Sequence, residues 1–371
     1  MHPHISKFSL NYGHHRLSTV QNLFILVGCI IQGKTVNLNN LKDEVGKISE
    51  KYKSKSDSHY KRLTRFFAKH STSLLWASIL NYGMDLLGKN TSLCYLDGTE
   101  WSIGSFKLHC LVLAVDYQGI AVPIYFKVYQ HKGVLSEKER VNFLKLADEF
   151  CQLTKSTIVA DREFIGDDWF SNFHTLSLYF VIRLRKGQYK NNLPGSINYL
   201  TLEKRALKKG RASSLVVIDN LPFRLWIVKN AVKSDKEPLI YILTNIVNKR
   251  NVPDLYRLRW KIECLFKHLK TNGYNLEDLR MTNLDKVRLL LSMVILAYII
   301  AILLALDKRK MKPMKKKYYK NGTSFDIISV FKEGQSLLKQ SFVTLTGLLK
   351  IVQFLKTTWV GPIPEHYLNV Q

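Results

Sequence analysis

Tyr256, Arg259, Glu263 and Lys270 are spaced for phosphate chemistry. They lie between Pro253, which suits a helix start, and Gly273, which suits a helix stop, so the spacing predicts a long helix over 251–272. At the α-helical step, with Tyr256 at zero, Arg259, Glu263 and Lys270 fall at about −60°, −20° and −40°, and Lys267 at about +20°. Leu255, Leu258, Ile262, Leu265, Phe266 and Leu269 gather between about 180° and 280°, a face to be buried. The other face carries one carboxylate among three cations and a phenol. That mixture suits a metal-ligating acid flanked by phosphate-binding groups. An Arg259–Glu263 or Glu263–Lys267 pair on a solvated helix has the same spacing, so the stripe alone leaves both readings open.

Two aspartates add to it. Asp97 closes a predicted strand at 92–97, in Asp97-Gly98-Thr99, and Asp161 closes another at 156–161, ahead of Arg162 and Glu163. Each by itself also fits a turn or a helix cap. With Glu263 they make three acids, oxygen ligands for two hard divalent cations, Mg²⁺ or Mn²⁺. Such a pair activates a water or a 3′-hydroxyl and stabilises the leaving oxygen in phosphoryl transfer. Asp167-Asp168 is the rival second acid but reads as a helix start, and Glu163 reads as pointing away from the pair.

The elements that must position these acids follow one order. Strands at 92–97, 107–115 and 120–129 precede a helix at 137–153, a strand at 156–161, a short helix at 167–174 and a strand at 179–185. This is the order of an α/β ribonuclease-H-like core, with an antiparallel meander and the later strands parallel to the first. In such a sheet the first and fourth strands are neighbours. Asp97 and Asp161 then converge, and the long helix brings Glu263 across. The core is expected over 91–310, interrupted at 186–238 by a β-rich insertion with strand-like pieces at 214–218 and 223–229. Before it, 1–90 reads as a small basic helical domain suited to DNA docking, and after it 311–371 reads as a helical C-terminal region with helices near 325–339 and 345–356. Leu289–Leu306 is apolar and reaches the lower length of a membrane span. Basic residues flank it on both sides and it has no companion span, so it is read as a buried core helix rather than a membrane anchor.

Composition narrows the partners. The 371 residues carry 56 Lys and Arg against 29 Asp and Glu, a net charge of +27. That surplus calls for a polyanion, nucleic acid first and an anionic membrane surface second. A hydrophobic share of 46% excludes global disorder. The five cysteines form no CxxC pair, which argues against a disulfide framework or a zinc site and for a reducing cytosol. The first fifteen residues carry no secretory pattern. His14, His15 and His131 lack a zinc-like partner set and read as surface or DNA-contacting residues.

Tyr256-x2-Arg259-x3-Glu263-x6-Lys270 resembles, at every position, the Y-(2)-R-(3)-E-(6)-K signature of DDE transposases of bacterial insertion sequences, family four. Asp97-Gly98-Thr99, Ala160-Asp161-Arg162-Glu163-Phe164 and Tyr241-Ile242-Leu243-Thr244-Asn245 are similar to the surroundings of that family's acids, and Tyr60–Phe67 is similar to its N-terminal part. The resemblance spans about residues 10–310. It implies that Asp97, Asp161 and Glu263 bind two Mg²⁺ or Mn²⁺ ions, and that Tyr256, Arg259 and Lys270, with Lys267, hold phosphate near the transposon end. It implies cleavage at terminal inverted repeats, a DNA hairpin, joining to target DNA, a homodimer on two double-stranded ends, and a bacterial cytoplasm with the protein on the nucleoid. Relatives stack a flipped base on a Trp of the insertion, which puts Trp226 forward, although a core Trp in a strand reads equally well; Trp101 and Trp169 read as packing residues, and Arg162 and Arg185 as weak DNA contacts. Two other readings keep the same residues: a metal-dependent nuclease of this fold, and a non-enzymatic DNA-binding protein derived from a transposase.

Overall fold

The computed structural model describes residues 2–51, 53–131, 133–184, 199–218, 221–230, 237–319, 322 and 324–358. Five helices come first: α1 (Pro3–Asn11), α2 (Leu17–Gly33), α3 (Leu38–Ile48), α4 (Ser56–His70) and α5 (Leu75–Leu86). Helix α1 is the shortest of the five. Its nine residues hold two apolar anchors, Ile5 and Phe8, and a Pro at its first position starts it.

The sheet begins with β1 (Leu93–Ile103), β2 (Phe106–Tyr117) and β3 (Ile120–Tyr129), an antiparallel meander. Helix α6 (Glu137–Cys151) opens with a capping box, in which Ser136 and Glu139 satisfy each other's backbone N–H. It leads to β4 (Thr157–Ala160), α7 (Asp167–Thr175) and β5 (Tyr179–Leu184), with β4 parallel to both β1 and β5. The sequence pattern ended the first strand at Asp97, but β1 runs on to Ile103. Its parallel partner β4 stops at the Leu96–Ala160 pair, whereas β2 continues to supply antiparallel hydrogen bonds as far as the Ile103–Phe106 pair.

The segment expected as a separate β-rich insertion extends the same sheet. It carries α8 (Tyr199–Lys209), β6 (Arg211–Ile218) and β7 (Leu221–Lys229), and β7 pairs with β8 (Leu239–Thr244), which pairs antiparallel with β5. The result is one eight-stranded sheet in the order β3-β2-β1-β4-β5-β8-β7-β6. Helix α8 corrects the reading of 199–209 as turns and basic runs: Leu202 and Ala206 are buried at helical spacing, while Lys204, Arg205, Lys208 and Lys209 stay outside. Its Glu203 accepts a hydrogen bond from the Tyr241 hydroxyl of β8 at 2.6 Å. The rest of the expected insertion, and Arg185, lie outside the described residues.

The predicted helix over 251–272 is two helices, α9 (Val252–Arg257) and α10 (Trp260–Lys270). Between them the backbone stays right-handed, but Leu258, Arg259, Lys261 and Ile262 donate to the carbonyl three residues back. This tighter winding breaks the α-helical ladder without turning the chain away.

Helix α11 (Leu284–Met311) is the spine of the molecule. Its most apolar window is 89% buried, covered by α2 and α5 from the N-terminal region, by β3 of the sheet, and by α12 (Val330–Ser341) and α13 (Leu345–Thr358) from the tail. The all-round apolar character that satisfies a membrane test is thus matched by neighbours on every side. A short hairpin, β9 (Lys316–Tyr318) with β10 (Ser324–Asp326), precedes α12, so Phe325 lies in a strand rather than in the helix expected from 325. The α11–α12 contact depends on Gly334, where an added Cβ would stand 1.8 Å from the Ala301 carbonyl oxygen. All five cysteines are free thiols, four of them buried.

Candidate active site

Sheet register brings the two aspartates together. Leu96 and Ala160 are the last pair of the parallel β1–β4 ladder, and Asp97 and Asp161 are the next residue on each strand. Asp97 Oδ1 accepts the Gly98 N–H at 2.9 Å. Beyond β4 a turn closes with Phe164 N–H donating to the Asp161 carbonyl, and it carries Glu163 back toward β1. A Cβ on Gly98 would stand 3.7 Å from Glu163 Oε1 and 2.7 Å from His109 Nε2, so the side chains crowd over a bare backbone position. Glu163, read from the sequence as pointing away, lies close enough to raise the Asp97 carboxyl electrostatically.

The α9–α10 junction supplies the cations. Arg259 Nη1 donates to Asp97 Oδ2 at 3.1 Å, and Arg259 Nη2 donates to Glu263 Oε1. The Tyr256 hydroxyl donates to Asp161 Oδ1 at 3.1 Å. Lys270 Nζ donates to the Glu100 carbonyl of β1, pinning the far end of α10 to the same strand. Below the stripe, Lys261 Nζ donates to Asp116 Oδ2 at 2.7 Å, and the Tyr95 hydroxyl, two residues before Asp97, donates to the same oxygen. Five of the sequence-chosen residues therefore gather here in two hydrogen-bonded groups, Arg259 with Asp97 and Glu263 and Tyr256 with Asp161, which act on each other through the Arg259 charge. Lys270 borders them, and Lys267 is exposed on the same helix.

The electrostatics follow from burying like charges. Burial raises the Asp97 carboxyl to about 7; Arg259 and the Gly98 N–H pull it down, and Glu163 and Asp161 push it up. Burial opposes the Arg259 charge, but Asp161, Tyr256, Asp97 and Glu263 outweigh it and hold the guanidinium above its ordinary value. Burial, then Asp161, raises the Tyr256 phenol to about 12, so it stays a donor. Lys270 is lowered, chiefly by burial.

Trp226 does not join either group. It is a 7% exposed core residue in the middle of β7 whose indole N–H has no partner among the described residues. Trp101 and Trp169 are buried as expected. Arg162 pairs with Glu237 at 3.4 Å. The residue that sequence reasoning passed over is Trp260, 64% exposed beside Arg259. Its signal was legible: at about +40° on the helical wheel it is an aromatic on the polar stripe.

Among the described residues, no three His, Cys, Asp or Glu side chains gather closely enough to hold a metal ion as placed. The donor set is nonetheless of the kind hard divalent ions take, and a cation already bridges two of its members in the form of the Arg259 guanidinium.

Residues 103–300, more than half of the 371, match the family model described as the transposase DDE domain. The chain belongs to that family. The matched region of this DDE domain includes Asp161 and Glu263 and begins just after Asp97. No curated protein matches the chain. Among solved structures it is similar to the piggyBac transposase in a cryo-EM synaptic complex with hairpin DNA, with a TM-score of 0.52 and 12% identity, over 98% of this chain and 79% of that one. The likeness shows the fold: a central mixed sheet with helices on both sides, of the ribonuclease-H-like DDE type.

Proposed function

We propose that this DDE protein is a metal-dependent DNA transposase that cuts double-stranded DNA at the terminal inverted repeats of its element and joins the freed 3′-hydroxyl to target DNA, by cut-and-paste through a hairpin. The observation that carries this is the Arg259 guanidinium, which pairs with both Asp97 and Glu263 and feels the charge of Asp161, itself one step past the strand pair that ends beside Asp97. Asp97, Asp161 and Glu263 would hold two Mg²⁺ or Mn²⁺ ions, which when bound activate the attacking hydroxyl and stabilise the leaving oxygen.

The chain's own groups do the rest. Arg259, freed from Asp97 and Glu263, presents its planar fork to a phosphate, for which it is shaped. Tyr256 keeps Asp161 oriented through its hydroxyl. Lys270 and Lys267 add charge along the strand path. Trp260 offers an exposed ring on which an unpaired base can stack. The basic helices of residues 1–90 give the first contacts with duplex DNA. Two copies acting on two ends, in a bacterial cytosol on the nucleoid, complete the reading.

The test is cleavage of DNA carrying the element's own ends, with Mg²⁺ or Mn²⁺, by wild type and Glu263→Gln. End-specific cutting that the variant loses while still binding DNA supports the proposal. Binding without cutting under either metal moves a non-enzymatic DNA-binding role forward. Cutting without end specificity or strand joining moves a plain nuclease forward.

A further inference from the structure

Helix α10 does not end at the carboxylates. It runs past Lys267 and Lys270 into a cleft of about 760 Å³, built where the ends of α2 and α10 meet the first turns of α12. Lys34, Thr271, Asn272, Asn275, Lys332 and Ser336 line it. Its base is fixed by Gln335, 3% exposed, which donates to the Gly273 carbonyl at 3.3 Å. Gly273 is required there: a Cβ would stand 2.2 Å from the His268 carbonyl oxygen and 2.6 Å from the Phe331 ring.

The charge of the cleft is unbalanced. Lys34, at the left-handed C-terminal cap of α2, is half-buried and held below its ordinary value by burial and by Lys339 and Lys332. Lys332 and Lys267 both act on the half-buried His268 ring, so the lysines of the cleft continue the line from the catalytic helix. The nearby acids are engaged elsewhere: Glu333 with Arg309 and Lys308, Asp278 with Thr35 and Arg280. Among the described residues Lys34, Lys267, Lys332 and Lys339 have no carboxylate partner. Three like charges drawn together around amide and hydroxyl groups, with no acid to offset them, cost stability unless an anion enters.

We infer that this cleft is a docking site for the phosphodiester backbone of the DNA engaged at the carboxylates, with Lys34 and Lys332 of its lining, and Lys339 beside Lys34, as its cations. The inference rests on the transposase reading and extends the strand path of that site. From Glu263 to Asn272 is about 13 Å along a helix, or about four base steps of a duplex strand.

The test is the salt dependence of binding to a fluorescein-labelled random-sequence duplex, read by anisotropy. Each phosphate contact contributes about 0.9 to the slope of log K against log salt. The triple variant Lys34→Gln, Lys332→Gln, Lys339→Gln should lower that slope by about 2–3 with a melting temperature no lower than wild type, as relief of like-charge repulsion requires, and the corresponding triple Arg variant should restore the slope. The triple Lys145→Gln, Lys155→Gln, Lys229→Gln changes net charge equally and should leave the slope near wild type. An unchanged slope in the first variant overturns the inference. So does an unchanged slope with weakened binding of inorganic phosphate, which would make the cleft a free-anion site. Metal-dependent cleavage and its loss in Glu263→Gln are read separately, so the cleft can stand where catalysis fails, and the reverse.

Discussion

Arg259 joins Asp97 and Glu263, one on a strand and one on its own helix, although Asp97 lies 162 residues before it in the chain. Both ion pairs are largely shielded, with 16% exposure at Arg259 and Asp97. The arginine therefore acts as an internal counterion, and any divalent ion must compete with it. Arg259→Ala should leave Asp97, Glu163, Asp161 and Glu263 repelling one another without a cation and should cost about 1–3 kcal/mol in metal-free buffer. Added Mg²⁺ should recover more stability in the variant than in wild type. Melting curves of both proteins with and without Mg²⁺ check this, and equal Mg²⁺ shifts would refute it.

Lys261 sets the height of α10 over the sheet through Asp116, whose carboxylate also takes the Tyr95 hydroxyl. Lys261→Met keeps the packing length but strands a shielded carboxylate. We expect a loss of about 1–3 kcal/mol in stability and a rise in the Mg²⁺ concentration needed for cleavage, with DNA affinity unchanged. A metal titration of cleavage that coincides with wild type would show that this pair supports the fold alone.

His4 gives the protein an acid-sensitive side. It is 4% exposed, shares a hydrogen bond with the Tyr82 hydroxyl at 2.8 Å, and is lowered to about 4 by burial, then by Lys356, His2 and Lys7. The unfolded chain takes up this proton near 6.5 and the folded one only near 4, so stability is full above 6.5 and falls as pH drops toward 4. The contribution is on the order of 3 kcal/mol. Urea midpoints at pH 7 and pH 4.5 should differ by less in His4→Gln than in wild type, because Gln removes the proton-binding group; equal differences would count against it.

Gly334 admits no side chain against Ala301. Gly334→Ala should cost about 1–3 kcal/mol or more by separating α12 from α11. Faster proteolysis across 312–358 than in wild type would show it, and a melting temperature within error of wild type would contradict it.

Much of the site was legible because it is written at helical and strand spacing. The Tyr256, Arg259, Glu263 and Lys270 stripe holds even though the helix is broken at Leu258–Arg259, because a tighter turn keeps the side chains on one side. The partnership of Asp97 with Asp161 followed from strand order, but the position of Asp97 within β1 did not, because β2 rather than local sequence extends that strand. Glu163 was misplaced since the direction of a side chain in a four-residue turn depends on tertiary packing. Helix α8 was hidden by its basic residues, which lie on the outer face of a helix whose apolar side is only Leu202 and Ala206 wide. Trp226 shows the limit of position in the chain: a strand in the expected region turned its indole inward.

The placement of α11 has a consequence for how the chain comes into being. Twenty-eight residues of mostly aliphatic helix are synthesised before α12 and α13, which supply part of their cover. On the ribosome the first helices and the sheet can close over one side at once, while the other side stays open until the tail has emerged. That interval is when a chaperone has a greasy surface to hold and when a neighbouring nascent chain has one to stick to. A stop codon shortly after Met311 would thus leave Asp97, Asp161, Arg259 and Glu263 in the chain and yet yield a polypeptide prone to aggregate rather than a smaller enzyme.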